Sequence, residues 1–391
     1  MSASNNIKKI DKYLLKGKLR RNGFEKIRYL FNGINKISGE QKTFFIEIYY
    51  VNPLISPSEP TIAQKSKLKL SSADDLQYAL AGTDSALTVS QEVFVLPSYA
   101  LLKAGYFGEG GKQFNKFYSA SSLVWSKNDD AIKLDNCIFS HDSIVGSICV
   151  EENDLLEHAE YLCSAGKMDW NLHFEKNIMS NPLCNNKTNF WIPIGAKTVY
   201  AGIVHVDGQE FTVMPRNPAG YIDKSWGSKL PNPFFHLSSA TLTSSITGHL
   251  LNKSCFAVEG EFDGRLSIFV SLEGKNYELS GNNLFDNYSE IHDWSSMPKD
   301  DDDDEKLHWS VSIHKGNIVI DIDIFSVVKD MFIRDYEVPA GGKSLLKILA
   351  GSNGYGEIRI YKKTGKSIVL QEHATVSNAL CEYGTIDDGE E

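Results

Sequence analysis

Three side chains able to do chemistry fall within one four-residue window: a carboxylate at Asp223, an ammonium at Lys224 and an indole at Trp226. They belong to Gly220-Tyr221-Ile222-Asp223-Lys224-Ser225-Trp226-Gly227, which is followed by Pro231 and then Phe234-Phe235-His236-Leu237-Ser238-Ser239. The stretch reads as a turn joining two apolar, strand-like segments. If 221–225 is extended, Tyr221, Asp223 and Ser225 share one side and Ile222, Lys224 and Trp226 the other. Two readings stay open. In a structural one, Asp223 caps the turn, Lys224 pairs with a carboxylate, Trp226 plugs the end of a barrel and Gly227 takes a positive φ. In a functional one, Asp223 or Lys224 points into a cavity walled by Trp226, Phe234 and Phe235.

Strands must position these groups. Residues 43–51 are a run of β-branched and aromatic side chains stopped by Asn52-Pro53, and 170–175 alternate apolar with polar. Asp207-Gly208 turns 200–206 into 210–214, a strong hairpin signal. Lys315-Gly316-Asn317 turns 307–313 into 318–324, where isoleucines at 318, 320, 322 and 324 share a face. Thr364-Gly365 turns 357–361 into 367–370. Helix is sparse, with 72–80 and 154–163 the best candidates. Many short strands with Gly and Asx turns predict barrels or sandwiches rather than a parallel α/β sheet.

At 391 residues the chain is too long for one small core, which predicts two domains. Hydrophobic content of 42% and charged content of 23% are those of a globular protein. A net charge of -10 argues against a nucleic-acid partner, which needs gathered Lys and Arg. Part of that charge sits in the acidic run 300–305, expected to be a solvated loop tip. No stretch reaches the ~18 apolar residues of a membrane span, and no export signal is visible at the N-terminus. The six cysteines (137, 149, 163, 184, 255 and 381) form no C-x-x-C pair and are expected to be reduced thiols in a cytoplasmic protein.

Other constellations are weak. Gly105, Gly108, Gly110, Gly111 and Lys112 miss the phosphate-loop pattern, because Tyr106 stands where its first Gly belongs and Gln113 follows the lysine. His308 and His314, six apart across a strand and turn, predict no metal site.

The Asp-Lys-x-Trp-Gly stretch at 223–227 resembles a motif of the tocopherol cyclase-like family, a lipocalin-like branch related to carotenoid hydratase-type proteins. Residues 29–48, 111–118, 241–250, 354–358 and 381–384 are similar to segments of its bacterial members. One departure matters. Where the family often has Phe-Glu-Gly-Trp-Tyr, this chain has Phe24-Glu25-Lys26-Ile27-Arg28, so an aromatic wall is missing. The resemblance implies an all-β fold of two consecutive lipocalin-like β-barrel domains with few short helices, divided here as 1–235 and 236–391. It implies a small hydrophobic or amphiphilic ligand of prenyl or polyene type, no cofactor, and a proton-initiated cyclisation. Such chemistry needs a carboxylic acid kept protonated by burial and aromatic faces for the cation. Candidate acids are Asp223, Glu25 and Glu382; candidate ligand-binding residues are Tyr221, Lys224, Trp226, Phe235 and Trp191. The alternative is a barrel that carries a lipid-like molecule without reacting it.

Overall fold

Alternation on two faces explains most of the architecture. The computed structural model describes residues 13–55, 67–68, 92–93, 96–126, 131–157, 163–215, 219–281, 288–297, 304–341 and 344–387. Of these, 68% are in strands and 5% in helical turns. The fold is all-β, with two consecutive lipocalin-like, barrel-like sheets in which every named pairing is antiparallel. Among the described residues the first sheet has 13 strands, from Phe24–Ile34 to Gly220–Gly227 in chain order. The second has 11, from Phe234–Ser239 to Ser367–Asp387. The chain therefore crosses from one to the other between Gly227 and Phe234.

The hairpins expected from turn chemistry are present. Gln209–Val213 folds back on Asn189–Val206 across Asp207-Gly208, both at positive φ. Lys306–Lys315 pairs with Ile318–Val327, and Ile320, Ile322 and Ile324 lie in the second sheet's interior core with Ile318 at its margin. Gly108, Gly110 and Gly111 lie in the turn between Tyr99–Phe107 and Lys112–Ser119, whereas Gly105 is within the first of these strands. A helix spans Glu152–Glu157, the start of the second predicted one; the predicted helix at 72–80 lies outside the described residues, as does most of the 300–305 acidic run. No helix among the described residues is long and apolar enough to cross a membrane.

The stretch read as a turn is a strand. Gly220–Gly227 runs between Phe24–Ile34 and Asn189–Val206 and pairs with both. Two ladders fix it, and each charge finds a cross-strand partner, which is why a sequence so polar can sit in mid-sheet. Gly227 is needed for close approach, not for a positive φ: a Cβ there would lie 2.1 Å from the Thr188 carbonyl oxygen, and one at Gly220 would lie 2.3 Å from that of Leu30.

Burial is layered. Ile27, Tyr29, Phe31, Phe44 and Ile222 fill the inside of the first sheet; Phe235, Phe256, Trp309 and Ile358 fill the second. A third core joins the two where their outer faces meet, with Phe24, Leu30, Tyr49, Trp191 and Tyr221 against Phe234, Ala257, Tyr336 and Ile348. Strands at this junction are covered on both sides, so Phe24–Ile34 is buried at eight successive positions. Lys197 ties the layers together, its Nζ donating to the carbonyls of Ala240, Leu251 and Ser254 at 2.8, 3.1 and 3.2 Å.

Trp226 does not fill a barrel end. It is half-buried at the margin of the first interior core and stacks on Phe190 at 5.5 Å. Trp309, by contrast, is fully buried in the second core. Trp309→Ala is therefore expected to cost about 3–5 kcal/mol and Trp226→Ala about 1–2 kcal/mol. Urea melts of the two variants against the parent check the order; equal losses would overturn it.

Candidate functional site at the junction of the two sheets

Even-numbered side chains of Phe24–Ile34 point to the junction, and odd-numbered ones of Gly220–Gly227 meet them there, because Arg28 pairs in register with Asp223 and Lys26 with Ser225. Arg28 is the centre. Its Nε and Nη2 donate to the two Asp223 oxygens at 3.1 and 2.6 Å, and its Nη1 donates to Glu382 of the second sheet at 2.5 Å. All three side chains are at most 1% exposed. Trp191 Nε1 and the Tyr221 hydroxyl also donate to Asp223, at 3.3 and 3.2 Å. A planar guanidinium matched to one carboxylate and shared with another is the geometry in which a buried ion cluster is best satisfied.

The second sheet contributes the proton-handling groups. In Phe234–Ser239, the residues facing the junction are Phe234, His236 and Ser238; in Cys255–Glu261 the residue paired with His236 is Glu259. His236 Nδ1 lies 3.3 Å from Glu259 Oε2 and Nε2 lies 3.0 Å from Ser238 Oγ. Both His236 and Glu259 are at most 1% exposed. Burial, then Arg28, push the imidazole well below its usual range, so it is neutral. Burial raises the Glu259 carboxyl to about 8, against the opposing pull of Lys26 and with the help of Asp223. Glu382 goes the other way: burial raises it, but Arg28, Lys26 and Arg334 together outweigh that and hold it below its ordinary value. Glu47 is likewise held down, by Arg334 first, after burial's opposite effect. Two neighbouring carboxyls in one buried cluster are thus split, Glu382 ionised and Glu259 protonated at neutral pH.

Aromatic faces surround this pair. The His236 ring is 6.1 Å from Trp191, 5.8 Å from Tyr221 and 6.4 Å from Phe234. Asp223, His236 and Glu259 also present ligand atoms within 4.8 Å of one another, the spacing of a metal site. Arg28 already occupies both Asp223 oxygens and lies 3.4 Å from His236 Nε2, so a divalent cation there would face a guanidinium. The donor set suits a shared proton better than a metal.

The eight residues singled out in the sequence divide among three compartments. Asp223, Glu382, Tyr221 and Trp191 meet at the junction. Glu25, Lys224 and Trp226 lie on the other face of their strands, inside the first sheet, where Lys224 Nζ pairs with Glu25 Oε1 at 2.5 Å. Glu25 Oε2 accepts from the backbone of Leu14 and Leu15. Phe235 is in the second interior, so it shares no cavity with Trp226 or Phe234. A cavity of about 20 Å³, room for a water, is lined by Ile27, Tyr29, Trp125 and Lys224. Sequence reasoning missed Arg28, Glu259 and the role of His236. The available signal was charge within strand-like runs: Lys26 and Arg28 in Phe24–Ile34, and Glu259 in Cys255–Glu261.

No family model and no curated protein matches this chain. Among solved structures it is similar to a Nitrosomonas europaea protein provisionally designated AttH, at 10% identity over 91% of this chain and 92% of that one, with a TM-score of 0.43. It is also aligned with Pseudomonas aeruginosa OccK5 (OpdH), at 8% identity over 94% and 97%, with a TM-score of 0.11. At those scores neither likeness bears on function, and the class stated here, a two-barrel all-β protein with a buried ionic junction, stands on the chain's own geometry.

The raised Glu259 carboxyl has a pH consequence. Unfolded it titrates near 4.5 and folded near 8, so the unfolded state loses the proton first and stability falls as pH rises between those values, then levels. Glu337, raised to about 9 mainly by burial, adds a fall of the same sign. Glu259→Gln is expected to flatten the fall by up to about 1.4 kcal/mol per pH unit. Urea midpoints from about pH 4.5 to 8.5 check it, and an unchanged slope would mean that Glu259 is ionised in the fold.

Proposed function

We propose that this protein is an acid–base catalyst whose two barrels act as two domains and take an apolar, unsaturated small molecule between them. The observation that carries the reading is the buried Glu259 carboxyl 3.3 Å from His236, raised by burial, with Trp191, Tyr221 and Phe234 around the imidazole. Protonation of an isolated double bond needs an acid that keeps its proton at neutral pH and surroundings that stabilise the cation without trapping it. Glu259 meets the first need and the ring faces the second. In the proposed cycle the Glu259 proton adds to one alkene carbon, and a hydroxyl of the substrate closes on the cation. The hydroxyl proton then returns through His236 to Glu259, so the net change is an isomerisation. This is the ring-closing class that the tocopherol cyclase-like resemblance implies, with the acid moved from Asp223 to Glu259. Asp223, held by Arg28, Trp191 and Tyr221, is a positioning residue.

Access follows from burial. The cluster side chains are 0–4% exposed, so a substrate reaches them only as the facing layers part.

The test is turnover of prenylated phenols and polyenes by the full chain. Glu259→Gln keeps size and hydrogen bonding but removes the transferable proton, and is expected to lower kcat at least ~100-fold with KM little changed. Asp223→Asn is expected to lower Tm more than it lowers kcat in the folded fraction. Equal kcat in parent and Glu259→Gln would sink the acid assignment. Tight binding of these compounds with no turnover by the parent would leave the protein a carrier.

A further inference from the structure

The junction holds one cationic donor and one carboxylate oxygen that are buried without a hydrogen-bond partner, beside an ammonium held only against aromatic rings. Lys26 is 4% exposed, and among the described residues its ammonium makes no hydrogen bond or ion pair. It rests instead between two rings, 5.2 Å from the Phe234 centroid and 5.3 Å from that of Tyr336. Near the same ring is Arg334, 0% exposed, with its guanidinium carbon 5.9 Å from the Tyr336 centroid. Arg334 Nη2 donates to Glu47 Oε2 at 3.2 Å and Nε to Gln113 at 3.3 Å. Its Nη1 has no hydrogen-bond partner, the nearest carboxylate oxygen being Glu382 Oε1 at 3.6 Å. Glu47 Oε1 is the unsatisfied acceptor beside them. A buried donor or acceptor left unmade is expensive, about 1–3 kcal/mol each and more for charged groups, so two such atoms beside the Lys26 ammonium point to a ligand that completes them.

Charge selects the ligand. Around the site stand Lys26, Arg28 and Arg334 against Asp223, Glu382 and Glu47, three of each sign, with Glu259 protonated and Lys103 paired to Asp335. A ligand that supplies two acceptor positions and one O–H, and adds no charge, fits this set. A carboxylic acid does so: its carbonyl oxygen accepts from Lys26 and Arg334 while its hydroxyl meets Glu47, the two carboxyls sharing one proton. We infer that Lys26, Arg334 and Glu47 form a head-group subsite for a carboxyl on the apolar substrate, which lays its chain along Phe234 and Tyr336 toward Glu259. The inference rests on the junction being the ligand site, and it names a substrate class: an unsaturated acid that also carries the ring-closing hydroxyl, rather than a substrate without a carboxyl. In this chain Lys26 stands within the segment whose aromatic pattern is interrupted, so the departure from that pattern supplies the head-group contact.

Farnesoic acid and farnesol differ only at the head and serve as probes, with binding to the full chain read by tryptophan fluorescence at pH 7. The acid is expected to bind at least ~10-fold more tightly than the alcohol, the size of one hydrogen bond to a charged group. Calorimetry in two buffers of different ionisation enthalpy is expected to show about one proton taken up per acid bound, because the acid is ionised in solution. Lys26→Met is expected to lower acid affinity far more than farnesol affinity and so erase the preference, and Lys26→Arg to restore most of it. Farnesol affinity also reports whether Lys26→Met is folded. No preference for the acid, a preference that survives Lys26→Met, or no binding of either probe overturns the subsite. Glu259→Gln is expected to keep the preference in full. A protein that prefers the acid but turns nothing over therefore retains the subsite and loses only the catalytic reading.

Discussion

The fold of this chain depends on Arg28 being held between Asp223 of its own sheet and Glu382 of the other. The two contacts reach across 195 and 354 positions of sequence, and the guanidinium between them is fully buried. Such a charge is tolerable in a low-dielectric interior only when its donors are all directed at acceptors. Once Arg28 faces the junction, strand geometry settles its neighbours. Lys26 and Leu30 must face the same way, and Glu25, Ile27 and Tyr29 must face the barrel interior. The Gly220–Gly227 strand, paired with it in register, is then obliged to present Tyr221, Asp223 and Ser225 to the junction and Lys224 and Trp226 to the interior.

The same constraint separates two ion pairs that look adjacent in sequence. Asp223 and Lys224 are consecutive, yet their partners, Arg28 and Glu25, lie on opposite faces of the neighbouring strand. The interior pair is saturated, since Glu25 also accepts two backbone N–H groups. The junction pair extends instead into a network with Glu382, Arg334 and Glu47. One network is closed and the other has unsatisfied members. That difference, rather than burial alone, is why chemistry is assigned to the junction and structure to the interior.

Local features of the sequence were legible because their causes are local. The Asp207-Gly208 hairpin, the run ending at Val51 and the isoleucine face of Ile318–Val327 follow from turn chemistry and alternation within a few residues. The alternation expected for 221–225 was also right, although the stretch is a central strand rather than a turn. Its strand character comes from partners at 24–30 and 189–198, which no local pattern reveals. The candidate site was half legible for the same reason. Asp223, Glu382, Tyr221 and Trp191 do lie together at the junction, but a cavity shared by Trp226, Phe234 and Phe235 required three adjacent faces that the topology puts in three compartments. Glu259 was passed over because a lone glutamate in a strand has no signature until its cross-strand partner is known to be a buried histidine.

Proton placement in the junction is a matter of position relative to the cations, not of residue type. Glu382 and Glu259 are both glutamates, both buried, and both paired in register with His236, one on each side of it. Glu382 receives Arg28 directly and has Arg334 within ion-pair distance, so ionisation is favoured in spite of desolvation. Glu259 sits behind the imidazole, where its contacts are a neutral ring nitrogen and the Asn185 amide at 3.4 Å, and desolvation prevails. The histidine is kept neutral by burial first, and then by the same arginine that keeps Glu382 charged. The guanidinium thereby favours two states, an ionised Glu382 and a neutral His236, while burial raises Glu259 against the pull of the same cation. Removing that cation would free Glu382 to compete for the proton, and the distinction between an acid and its charged neighbour would be lost.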